Sequence, residues 1–150
     1  MINLEVIEEL LLVKGIDKAT FEKLKNFVTI YEKGVNINTA PYEVLYALGI
    51  EEKLIDKIIN YRKGEDGVLG TLDDNVFNTP TSIVSRLSQY FSLSVSKVAN
   101  LSNLVAERKL TTFSNYFTIE VKAELNYSHT YGKIFCVVDR EGRILYWRQD

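Results

Sequence analysis

Phe117-Thr118-Ile119-Glu120-Val121-Lys122-Ala123-Glu124-Leu125-Asn126-Tyr127 is the stretch on which the fold turns. Phe117, Ile119, Val121, Ala123, Leu125 and Tyr127 occupy one side of a period-two pattern, with Thr118, Glu120, Lys122, Glu124 and Asn126 on the other. Side chains of an extended chain point alternately to opposite faces, so this is a strand with one face toward apolar company and one toward water. Downstream, a turn in the Gly132 region leads into Lys133 to Asp139, and Asp139-Arg140-Glu141-Gly142 makes a tight turn into Ile144-Leu145-Tyr146-Trp147. The expectation is a three-stranded antiparallel meander within residues 113–150. A meander with one apolar face needs a covering layer, which has to come from the helical part, from a further segment or from a partner.

Upstream of about Thr111 the hydrophobic period becomes helical. Ile7, Leu10, Leu11 and Val13 precede Gly15, and Phe21, Leu24 and Phe27 recur after Asp17, a residue suited to cap a helix. The motif repeats: Val44, Leu45 and Leu48 precede Gly49, then Leu54, Ile55, Ile58 and Ile59 form a stripe ending at Arg62. Between them, Asn36-Ile37-Asn38-Thr39-Ala40-Pro41 offers Asn38 or Thr39 as a cap with Pro41 in the first helical turn. A second helical unit begins near Thr79-Pro80, with Ile83, Val84 and Leu87 inward, and continues near Ser94 with Val95, Val98, Leu101, Leu104 and Val105. The fold class is therefore α+β, with a helical domain at 1–112 (hairpin unit 1–62, acidic loop 63–76, second unit 77–112) followed by the strands at 113–150.

Eighteen basic against twenty acidic residues give a net charge of -2, so no whole-chain field attracts nucleic acid or an anionic membrane. The longest apolar runs, Leu10 to Val13 and Ile134 to Val138, fall far short of the ~20 residues of a membrane-spanning helix. Cys136 stands alone inside the second run, the setting of a buried strand residue. His129, the single histidine, sits in a polar turn with no nucleophile or base pattern beside it, and no phosphate loop, serine elbow or cysteine-histidine metal spacing occurs. An enzyme is not expected.

The most chemically suggestive segment is Gly64-Glu65-Asp66-Gly67-Val68-Leu69-Gly70-Thr71-Leu72-Asp73-Asp74-Asn75. It gathers hard oxygen ligands among glycines that permit tight turns, which makes Asp66, Asp73 and Asp74 candidate ligands for Ca2+, although the spacing is not that of an EF-hand loop. A solvated acidic turn is the other reading. Nine tyrosines, among them Tyr31, Tyr42, Tyr46, Tyr61, Tyr90 and Tyr116 at element ends or beside apolar stripes, could contribute to a contact surface or to ordinary packing.

Taken in order, Glu9-Leu10-Leu11-Leu12-Val13-Lys14-Gly15-Ile16, Val35-Asn36-Ile37-Asn38-Thr39-Ala40-Pro41, Ile59-Asn60-Tyr61-Arg62 and Ser114-Asn115-Tyr116-Phe117 resemble general secretion pathway protein K, a minor pseudopilin of the type II secretion system. The resemblance spans nearly the whole chain. It implies a helical domain of two helix-hairpin-helix (SAM-like) units set into a pilin-like sheet, and a structural role at the pseudopilus tip beside the I- and J-type minor pseudopilins. It also implies a location on the periplasmic side of the inner membrane and, as in some members, bound calcium. Family members begin with an apolar anchoring helix and further pilin strands that this sequence does not show, so the resemblance points to a soluble fragment or a truncated relative.

The competing reading is a DNA-binding helix-hairpin-helix protein, since such hairpins offer N–H groups at a helix start to a phosphate. The hinges read Gly15-Ile16-Asp17-Lys18 and Gly49-Ile50-Glu51-Glu52, with carboxylates where a phosphate binder carries glycine and base. Glu51 and Glu52 complement the helix dipole themselves and repel a phosphate. Binding to nucleic acid is therefore not expected.

Overall fold

The computed structural model describes residues 4–124 and 131–149. They form an α+β chain that divides into two compact units between Phe113 and Ser114.

The helical unit opens with a 3-10 helix at Ile7–Leu12 and α1 at Lys18–Leu24. Asp17 caps α1 as its sequence position suggests, its Oδ1 accepting from Thr20 N–H at 2.7 Å. That bond favours the ionised carboxyl and holds Asp17 below its ordinary pKa. The first apolar stripe makes a tighter helix than expected, and Phe27 falls outside α1 and is exposed.

The main core lies further along the chain. α2 (Tyr42–Ala47), α3 (Glu52–Arg62), α4 (Ser82–Tyr90) and α5 (Val95–Ala106) contribute Leu45, Leu54, Ile55, Ile58, Ile83, Leu87, Leu101 and Leu104. Ile37, Ile50, Phe77 and Leu110 join them from the connections. One cluster thus draws on residues that the sequence pattern assigned to two successive units. Val95 does not take part, because it occupies the first position of α5 and is exposed.

The turn between α2 and α3 shows why Gly49 is needed. Its N–H donates to Tyr46 O at 2.9 Å and that of Ile50 to Leu45 O at 3.4 Å, which terminates α2 with a left-handed residue. Gly49 adopts φ +80°, and Ile50 then turns inward against the core that contains Leu45. The end of α5 repeats the pattern without glycine. Arg108 sits at φ 57°, its N–H donating to Val105 O at 3.0 Å while Lys109 N–H reaches Leu104 O at 2.9 Å.

β1 (Val35–Asn36) and β2 (Leu110–Thr111) pair in parallel and tie the two ends of the helical core together. A Cβ on Gly34 would stand 2.5 Å from Thr111 Cγ2, so the close approach of these segments depends on glycine there. Asn38, expected as a helix cap, does something else, and Pro41 is itself the residue before α2. The Asn38 amide donates to Phe77 O at 3.0 Å and Thr112 O at 2.9 Å, and its oxygen accepts from Phe77 N–H at 2.8 Å. A local cap is forgone because the same side chain joins three distant segments.

In the second unit β3 (Tyr116–Glu124), β4 (Tyr131–Asp139) and β5 (Ile144–Gln149) form an antiparallel meander in that order. Leu125, Tyr127 and His129 lie outside the described residues. Gly132 is not at a turn but pairs with Ala123 inside the sheet. The β4–β5 turn was legible: Gly142 takes φ +84° and donates to Asp139 O at 3.0 Å. Asp139 Oδ1 accepts from Glu141 and Arg143 N–H at 2.9 Å each, and these bonds depress its pKa.

Candidate functional site

Residues directly opposite in an antiparallel pair share a face, so the register sorts the sheet. Phe117, Ile119 and Val121 stand opposite Val138, Cys136 and Ile134, and Cys136 is in turn opposite Trp147. These side chains are apolar, and the face ends in the polar Gln149, which stands opposite Ile134. Tyr146 pairs with Val137 and Ile144 with Val138, so Leu145 is the extra residue of a bulge at the same edge.

The opposite face carries Glu120 in ion pairs with Lys122 at 3.0 Å and Lys133 at 3.3 Å, and hydrogen bonding to these lysines lowers its pKa. Phe135 meets Tyr146 edge-on at 6.0 Å, with the Arg148 guanidinium 5.6 Å from the Phe135 ring. That face mixes charge pairs with aromatic contacts. On the apolar face Phe117, Ile119, Val121 and Trp147 are 46, 44, 49 and 53% exposed, whereas Cys136 of the central strand is buried. A single small sheet has no second layer of its own, so this band of side chains is an exposed hydrophobic feature of the unit.

The acidic loop is built differently from a metal cage. Asp73 Oδ2 accepts from Glu65 N–H at 2.7 Å and Asp66 N–H at 2.9 Å, and Oδ1 accepts from the Thr71 hydroxyl at 2.7 Å. Those donors hold the Asp73 carboxyl at a pKa of about 2. Asp66 Oδ1 accepts from Val68 N–H at 2.8 Å, and Asp74 Oδ2 from Gly70 N–H at 2.7 Å. Asn75 closes the base through its N–H on Arg62 O at 3.1 Å and its amide on Tyr61 O at 3.0 Å. All three carboxylates named from the sequence are thus turned onto donors of the loop itself. Among the described residues no group of three or more His, Cys, Asp and Glu side chains is arranged to hold a metal ion, so the calcium implied by the resemblance does not fit this arrangement.

At the Gly49 hinge, Glu51 pairs with Lys97 from α5 at 3.3 Å, so a carboxylate faces outward at the start of α3. Of the tyrosines, Tyr61 is buried against Phe77 at 4.6 Å, while Tyr46 and Tyr90 are exposed. Sequence reasoning passed over Arg62, which is buried at the end of α3 with a terminal nitrogen donating to Ala40 O at 2.7 Å. Burial lowers its pKa, and the charge of Asp74 opposes that. Only its place at the end of an apolar stripe hinted at this. No family model, no curated protein and no solved structure matches the chain. No helix among the described residues is long and apolar enough to cross a membrane.

Proposed function

We propose that this chain is a non-enzymatic structural subunit that seats another protein on the apolar face of its meander. We place it with the minor pseudopilins of type II secretion, as a relative of general secretion pathway protein K acting on the periplasmic side of the inner membrane. The observation that carries this reading is the exposed band of Phe117, Ile119, Val121 and Trp147 on a sheet whose other face carries the ion pairs of Glu120 with Lys122 and Lys133. Fully burying such a side chain is worth about 1.5–3 kcal/mol, so even half that gain at each position is a substantial drive to associate. The glycine turns at Gly15 and Gly49 support the finer reading of two helix-hairpin-helix (SAM-like) units. Carboxylates at the second hinge speak against DNA as the partner.

The test is co-sedimentation of the purified chain with the I- and J-type minor pseudopilins of its own system, alongside the Ile119→Asp variant. Association lost in the variant, with the helical unit still folded, is the expected outcome. A wild-type chain that sediments as a lone monomer in every mixture overturns the reading, and a tight, salt-sensitive shift of duplex DNA would replace it with the competing one.

A further inference from the structure

The meander has an open edge. Among the described residues the strand order β3-β4-β5 gives β3 a neighbour on one side only, and Phe117 to Glu124 are all exposed. Such an edge presents backbone N–H and C=O groups to any second strand, and sheets ordinarily blunt it with a bulge, a proline, a charge or a short length. The opposite edge is blunted in two of these ways, since β5 has 6 residues and is interrupted by the bulge at Leu145. β3 has 9 residues, pairs with β4 without a shift from Tyr116 to Glu124, and contains neither glycine nor proline.

Charge is the one safeguard β3 carries, and the order of its charges decides what it repels. Lys122 stands directly opposite Lys133, two like charges side by side, and Glu120 bonds both. The Lys122 side chain is still 74% exposed, which leaves room beside it for a carboxylate arriving from beyond the edge. A second β3 supplies that carboxylate. Turned antiparallel about a two-fold axis through Val121, it sets Glu120 opposite Lys122 on both sides of the axis, with Val121 against Val121, Ile119 against Ala123 and Thr118 against Glu124. An axis at Glu120 or at Lys122 would oppose like charges, and one at Ile119 would leave both charged residues opposite the neutral Thr118 and Tyr116. A slip of one residue would set apolar side chains beside polar ones.

We propose that β3 pairs with β3 of a second copy of this chain, antiparallel and centred on Val121, so that two meanders join into one continuous sheet. The axis is perpendicular to the sheet, so both copies present Phe117, Ile119 and Val121 on the same side and the apolar face runs across the junction. The pairing uses the strand edge and the charges of the polar face, and it stands or falls apart from the partner proposed for the apolar face.

The test is sedimentation equilibrium of the whole chain across a range of concentrations. One strand pair makes a small interface, so the wild type is expected to dimerise with a dissociation constant on the order of 100 µM. Glu120→Lys and Lys122→Glu each place like charges opposite one another on both sides of the axis and should weaken the dimer roughly tenfold or more. Mixed in equal amounts, the two variants have complementary edges, and the mixture should dimerise about as tightly as the wild type. Should Glu120→Lys unfold the meander by crowding lysines together, mild oxidation decides. Val121→Cys is expected to cross-link into a covalent dimer, whereas Ile119→Cys, whose copies lie roughly 13 Å apart in this register, is not. A wild type that stays monomeric, a dimer indifferent to both charge reversals, folded variants that do not recover on mixing, or equal cross-linking at the two positions overturns the proposal.

Discussion

Replacing Asn38 by Ala removes the side chain that joins the β1 segment to Phe77 and to Thr112. Three hydrogen bonds disappear, at 3.0, 2.9 and 2.8 Å, spanning 39 and 74 residues of chain. At about 1 kcal/mol net for each, the loss is about 3 kcal/mol, and more where buried Phe77 keeps an N–H without an acceptor. For a unit of this size that corresponds to a fall in Tm of roughly 12 °C. Far-ultraviolet circular dichroism follows the helices and isolates this unit from the sheet. Asn38→Asp sharpens the test, since it retains an acceptor for Phe77 N–H but sets a carboxylate against two carbonyl oxygens. Its folded pKa is then raised above the unfolded value of about 3.9, so its penalty relative to Asn38→Ala should be small below that pH and grow as pH rises through the folded pKa. A loss under about 1 kcal/mol in Asn38→Ala would refute the view that this residue organises the helical core.

Gly49→Ala meets no steric obstacle within 4 Å, so its cost is that of the left-handed backbone alone, about 1 kcal/mol, readable in a urea melt. Arg108→Gly relieves the same conformation at φ 57° and should raise stability by about 0.5–1 kcal/mol. The folded pKa of Asp73, about 2, lies below its unfolded value. Its contribution is therefore full above about pH 4 and is lost as pH falls through about 2, which amide exchange of the Glu65 and Asp66 N–H groups should register before the core unfolds. Calcium should leave the Tm unchanged, because the loop carboxylates already hold internal donors; a saturable rise in Tm would show that they can be turned to a cation.

The elements that rest on local periodicity were legible. Alternation from Phe117 to Ala123 marked β3 and its apolar face, and the stripe Leu54, Ile55, Ile58 marked the buried side of α3. Asp17 and Gly142 were readable because a cap and a tight turn are satisfied within a few residues. What escaped depends on distant partners. The β1–β2 bridge has too few residues for a period and exists only because residues 35 and 110 meet across the core. Asn38 resembles a cap in sequence, and only the arrival of Phe77 and Thr112 assigns it otherwise. The acidic loop had the composition of a cation site, yet Asp66, Asp73 and Asp74 each accept from a backbone N–H of the loop itself. Gly132 read as a turn because glycine does so by default, and its pairing with Ala123 is a matter of register.

Trp147 is the single tryptophan and lies on the apolar sheet face, more than half exposed, which makes it a direct reporter of whether that face receives a partner. In fluorine NMR of the fluorotryptophan-labelled chain, adding the I- and J-type minor pseudopilins should move its resonance and abolish the solvent isotope shift. A resonance that keeps its position and its response to deuterated water at saturating partner concentrations would contradict the proposal that this face is where the protein works.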